Sequence, residues 1–110
     1  MKKRSELILT WMVGAASLIS VALLWRHNLI LLLTLLFLAA LMLLIKRSKR
    51  ELKTFIFCGF LGGAAEVLAI FFGTWTYANP NLFNIIPAWL FILWGIASIF
   101  VIRIFLSFKK

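Results

Sequence analysis

Four long apolar stretches, separated by short polar or basic breaks, make up most of the 110 residues. Leu7 to Trp25 runs 19 residues without a charge, close to the ~20 an α-helix needs to cross a ~30 Å hydrocarbon layer. Arg26-His27-Asn28 is a three-residue break, with Asn28 placed to cap the next helix, and Leu29 to Ile45 is a second apolar run of 17. A basic segment, 46–53, leads to a third run from Thr54 to Tyr77, interrupted only by Glu66. A fourth extends from Ile85 to Phe108, with Arg103 near its end. In the connection 78–84, Asn79-Pro80-Asn81 is turn chemistry, while Asn84 is placed as an N-cap with Pro87 in the first helical turn. The pattern predicts an all-α membrane protein: one domain, folded as a bundle of four transmembrane helices at 7–25, 29–45, 54–77 and 85–108.

Composition supports the same solvent. The chain is 65% hydrophobic and 14% charged, against about 45–50% and about 25% in a soluble domain. The net charge of +9 would raise the question of nucleic acid if it formed a stripe on a soluble surface. Instead the charges lie between or beside the apolar runs, in Lys2-Lys3-Arg4, in Lys46-Arg47-Ser48-Lys49-Arg50 with Lys53, and in Lys109-Lys110. All of the 12 basic residues but Arg26 fall on one side of a four-span arrangement, which places both termini in the cytoplasm and the protein in the inner membrane. The bilayer, not nucleic acid, is then the partner of the charge, at about 1 kcal/mol per basic residue near anionic headgroups. Trp25, Trp75, Tyr77 and Trp89 fall at the opposite boundary, where aromatic rings with one polar edge sit at headgroup level. Arg103 is close enough to the cytoplasmic end to snorkel to water and takes no functional role. The first span is longer than a signal-peptide core and lacks a small-x-small cleavage site, so it reads as a retained anchor.

Candidate chemistry narrows to one carboxylate. A charged residue inside a span costs about 2.5–3.5 kcal/mol on insertion scales and is rare without a role or a partner. Counted from Thr54, Glu66 lies about 18 Å into its span, near the bilayer centre. Gly59, Gly62, Gly63 and Gly73 share its face at helical spacing, and Gly59-x-x-x-Gly63 lets another helix approach closely. Ser17, Ser20, Thr34 and Ser98 fall at comparable depth and are candidate partners for the carboxyl. The alternative is a neutral carboxyl that ties helices together through a hydrogen bond. His27 reads as a solvated surface residue and Cys58 as a small buried one. With one His and one Cys, neither a metal site nor a disulfide is expected, and no cofactor motif is present. Gly14-Ala15-Ala16-Ser17 and Gly95-Ile96-Ala97-Ser98 share a short Gly-x-Ala-Ser pattern in the first and fourth spans.

The second half reads Gly62-Gly63-Ala64-Ala65-Glu66, then Gly73-Thr74-Trp75-Thr76-Tyr77-Ala78-Asn79-Pro80, then Ile86-Pro87-Ala88-Trp89 and Leu93-Trp94-Gly95. This resembles small uncharacterised bacterial membrane proteins and, more distantly, membrane-embedded carotenoid hydratases and lycopene cyclases. The resemblance implies that Glu66 protonates a polyene double bond, with Trp75, Tyr77 and Trp94 lining the substrate site; Ser98 joins these candidates by its depth alone. Cyclase-type sequences carry acidic residues directly after the later proline, where this chain has Ala88-Trp89. Two other classes stay open. A four-span chain with one central Glu is similar to the small multidrug transporters, although their Glu lies in the first span. A non-catalytic assembly or accessory protein would use Gly59-x-x-x-Gly63 against a second copy or another membrane protein.

Overall fold

A computed structural model describes residues 3–73 and 86–108. It contains four α-helices: α1 (Lys3–Leu24), α2 (Asn28–Lys46), α3 (Lys49–Phe71) and α4 (Trp89–Ser107). Each is long and apolar enough to cross a membrane. The shortest, 19 residues, spans about 28 Å at 1.5 Å per residue. Large apolar side chains cover the outside: Leu18, Leu23, Phe37, Phe60 and Phe105 are all exposed.

The helix boundaries follow local chemistry that hydropathy alone does not report. α3 begins at Lys49, five residues earlier than expected, because Ser48-Lys49-Arg50-Glu51 has the spacing of a capping box. The Ser48 hydroxyl accepts from the Glu51 N–H at 3.2 Å and occupies one of the orphan donors of the first turn. The expected loop 46–53 thus reduces to Arg47 and Ser48, with Arg47 in the left-handed region at φ 51° and its N–H donating to the Leu43 carbonyl. α3 also ends six residues earlier than expected. Gly73 adopts φ +80° and donates to the Ile70 carbonyl at 3.0 Å, the left-handed glycine stop of a helix C-terminus. Gly73 therefore ends the helix and does not share in its packing face; nothing lies within 4 Å of where its Cβ would be. α4 starts at Trp89, so Pro87 precedes the helix instead of occupying its first turn. Asn28 is the first residue of α2 and not its cap; His27 holds that position without a side-chain hydrogen bond. The proposed loop 78–84 lies outside the described residues.

The core belongs to three helices. Val13 of α1, a stripe of Leu31, Leu35, Ala39 and Met42 on α2, and Trp89, Leu90, Ile96 and Ile99 of α4 are buried together with Ile86. The 4-4-3 spacing on α2 keeps one face inward over nearly its whole length. The fully buried positions of α3 are Glu51, Gly59, Gly62 and Gly63, and its Phe55, Val67 and Ile70 pack against this core while partly exposed. It packs along α4 and makes no extended contact with α1 or α2.

The α3–α4 seam interlocks aromatic rings with glycines. Trp94 covers Gly62, Phe91 covers Gly63, and the Phe55 ring lies over Gly95. A Cβ on Gly59 would stand 2.9 Å from the Phe91 carbonyl oxygen, a backbone atom that cannot swing away. Gly59→Ala is therefore expected to cost about 1–3 kcal/mol, the usual range for overpacking. Ala64→Leu, on the exposed side of α3, should cost close to nothing. Reversible unfolding of both variants in mixed detergent micelles measures the difference.

Candidate functional site

Two polar layers close the bundle, one at each end. The first gathers where α1 and α3 begin and α2 and α4 finish. Arg103 of α4 lies there, only 7% exposed, and Glu51 of α3 matches it at 7%. The guanidinium Nε donates to Glu51 Oε2 at 3.0 Å and Nη2 donates to Oε1 at 2.6 Å, a two-pronged pairing that suits the planar fork of Arg. Nη2 also donates to the Met42 carbonyl of α2 at 2.8 Å, and Nη1 donates to Thr10 Oγ1 of α1 at 3.0 Å. Thr10 in turn donates to the Glu6 carbonyl at 2.8 Å. Lys46 Nζ stands 3.8 Å from Glu51 Oε2 on the outer side of the pair.

This arrangement corrects the expectation for Arg103. It does not snorkel to water: a carboxylate, a hydroxyl and a main-chain carbonyl meet it inside the bundle. The partner was hidden because Glu51 sits among Lys49, Arg50 and Lys53 and reads as part of a basic loop. Two signals were available, the Ser48-x-x-Glu51 capping spacing and the need of an intramembrane arginine for an acid at its own level. Among the described residues no buried side-chain nitrogen or oxygen lacks a partner.

The second polar layer lies at the opposite end. Trp89 Nε1 donates to Asn28 Oδ1 at 3.1 Å, joining the first residues of α4 and α2. Trp89 stands at the helix end where it was expected, but its ring is buried against the neighbouring helices and only its N–H is spent on Asn28. Trp25, at the same end, is exposed, and the Arg26 guanidinium lies 4.9 Å from its ring centroid. Glu66 is half-buried. Helical spacing puts it on the α3 face that carries Gly59, Gly62 and Gly63, one turn beyond Gly62. Because α3 stops at Phe71, Glu66 lies five residues, about 7.5 Å, from the helix end and not at its centre.

The remaining sequence candidates separate. Trp94 lies on the same seam as Glu66, its ring over Gly62. Ser98 lies one turn further along α4 and donates to the Gly95 carbonyl at 2.7 Å. Ser17 donates to Val13 O and Thr34 to Ile30 O, each at 2.8 Å, so their protons are committed within their own helices. Trp75 and Tyr77 lie outside the described residues. Among the described residues no group of three His, Cys, Asp or Glu side chains converges as a metal site would need.

An apolar cleft of about 260 Å³ opens between α1 and α4. Gly14, Ala15 and Ser17 of the first Gly-x-Ala-Ser segment and Ile96 and Ala97 of the second line it, with the Phe100 ring packed over Gly14. Trp11 and Phe100 meet across one end edge to face, 5.0 Å between ring centroids at 86°.

The Arg103–Glu51 pair generates a direct expectation. Arg103→Met leaves a buried carboxylate without its main partner, and Glu51→Gln leaves a buried guanidinium half-paired. Each should destabilise the protein by about 3–5 kcal/mol. The Arg103→Met/Glu51→Met double variant removes both charges and should be more stable than the Arg103→Met single variant. A double-mutant cycle by denaturant titration in micelles checks this.

Comparison of the chain with protein-family models, with curated proteins and with solved structures finds no match, so its function must be argued from the geometry of these sites.

Proposed function

We propose that this chain is a small multi-pass protein of the inner membrane, with both termini and the Arg47-Ser48 turn on the cytoplasmic side. We further propose that it binds or transforms a lipophilic molecule at the α3–α4 seam. The membrane reading is supported by four apolar helices with large hydrophobic side chains on their outer faces. The orientation is supported by charge. Every Lys and Arg except Arg26 belongs to the end marked by the Arg103–Glu51 pair or to the sequence flanking it, as the positive-inside rule requires of a cytoplasmic face.

The observation that carries the seam reading is Glu66, a half-buried carboxyl on a face otherwise built of glycines and aromatic rings. An acid so placed can transfer its proton to an alkene carbon of a bound polyene, leaving a carboxylate on Glu66 and a cation on the adjacent carbon. Trp94, whose ring lies over Gly62 on the same seam, is the aromatic group that this reading assigns to stabilising such a cation. That chemistry is what the resemblance to carotenoid hydratases implies. The assembly reading has less support, because Gly59 and Gly63, its expected contact surface, are occupied by α4 of the same chain.

Two measurements test these proposals. In a Cys58→Ser background, Ser5→Cys should react with a membrane-impermeant maleimide only from the cytoplasmic side, and His27→Cys only from the other. The reverse pattern overturns the orientation. Native mass spectrometry with lipid and pigment extraction then compares the purified protein with Glu66→Gln, which keeps shape and removes the ionisable proton. A lipophilic compound that is lost or chemically altered in the variant supports the site. Identical bound compounds in both proteins sink it.

A further inference from the structure

The α1–α4 cleft is separate from the Glu66 seam and has a directional character of its own. Its volume of about 260 Å³ falls just below the ~300–1,000 Å³ of sites that enclose a drug-sized ligand, which suits a single hydrocarbon chain. Its walls are Trp11, Leu18, Leu93 and Phe100, and its floor includes Ala15 and Ala97, both exposed. No charged side chain lines it.

The end of the cleft near Trp11 and Phe100 points toward the basic end of the bundle. Arg4, exposed, lies seven residues before Trp11 and eleven before Ala15, which keeps it on the same stripe of α1 at about 10 Å from Trp11 along the axis. Ser107 stands in the matching place on α4, seven residues after Phe100, its hydroxyl donating to Ile104 O. Lys2 and Lys3 precede Arg4 in sequence, and Lys109-Lys110 follow the end of α4. The acids of this end are turned elsewhere: Glu51 is committed to Arg103 and Lys46, and Glu6 lies 200° around α1 from Arg4 by helical rotation. An apolar trough for one chain thus leads toward the exposed Arg4.

We infer that the α1–α4 cleft is a binding site for an anionic phospholipid, with one acyl chain lying against Ala15 and Ala97 and the phosphate held at Arg4. Charge complementarity selects this occupant: a zwitterionic lipid gains nothing net from Arg4, and a second protein helix would not be chosen by headgroup charge. The inference rests on the membrane reading but not on Glu66.

The test reconstitutes the full chain in vesicles of equimolar phosphatidylglycerol and phosphatidylcholine with identical acyl chains, followed by native mass spectrometry of the lipids retained. Phosphatidylglycerol should be retained over phosphatidylcholine by about fivefold, the ratio that one basic residue near an anionic headgroup supplies. Arg4→Gln should bring the ratio toward unity while a lipid is still held. Ala97→Phe fills the cleft without touching the core and should lower retention of both lipids; Ala15→Phe does the same from the other wall. Equal retention of the two lipids by the unaltered protein, or undiminished retention in both filling variants, overturns the site. Failure of the chain to enter the vesicles at all would overturn the membrane reading along with it.

Discussion

The Arg103–Glu51 pair is the contact on which the rest of the bundle depends, because through it all four helices meet by polar groups. A guanidinium inside an apolar bundle is costly unless most of its donors are used. Here three of its nitrogens reach a carboxylate, a hydroxyl and a carbonyl on three different helices. Apolar packing in a lipid-like environment gives little preference for one helix register over another, since lipid tails are as apolar as leucine. A paired charge does give such a preference. Sliding α4 by a single turn would separate Arg103 from Thr10, Met42 and Glu51 together, so the pair specifies the axial position of α4 against the other three.

Glycine supplies the second constraint, and it acts along the α3–α4 seam. With only the partly buried Phe55, Val67 and Ile70 reaching the core, α3 depends on the shape of its contact with α4 and on the ion pair at its first turn. The seam is reciprocal: rings of α4 enter glycine positions on α3, and a ring of α3 enters one on α4. Close approach of this kind substitutes dispersion and surface fit for the hydrophobic effect that would drive the same contact in water.

Much of this was legible in the sequence, and the misses have specific causes. The number and order of the helices follow from four apolar runs, and α2 was located to within one residue because charges bound it closely on both sides. The Gly59, Gly62, Gly63 face was also readable, because glycine at helical spacing points to helix contact whatever the partner. The ends of α3 were misjudged because hydropathy cannot see a capping box or a left-handed glycine, and both Ser48 and Gly73 are local backbone devices. That error moved Glu66 to the middle of a span when it belongs near a helix end. It also hid Glu51 inside a run of lysines and arginines. The burial of Trp89 at its helix end was not legible either: an indole can hide its ring in a core once its N–H finds an acceptor such as the side-chain amide oxygen of Asn28.

The two-residue turn between α2 and α3 has a consequence for the order of events during synthesis. α3 leaves the ribosome directly after α2, yet its long contact is with α4, which follows it in the chain. Until α4 arrives, the glycine face of α3 has nothing to pack against and Glu51 has no Arg103. Lys46, five residues away across the turn and 3.8 Å from the carboxylate in the finished bundle, can hold Glu51 from the moment the turn forms. Lys46 thus provides Glu51 with a counter-charge that precedes Arg103 in the chain, and in the finished bundle it still stands beside the oxygen that Arg103 Nε reaches. The basic residues at this turn would then act in time as well as in space, escorting a carboxylate to a partner that has not yet been made.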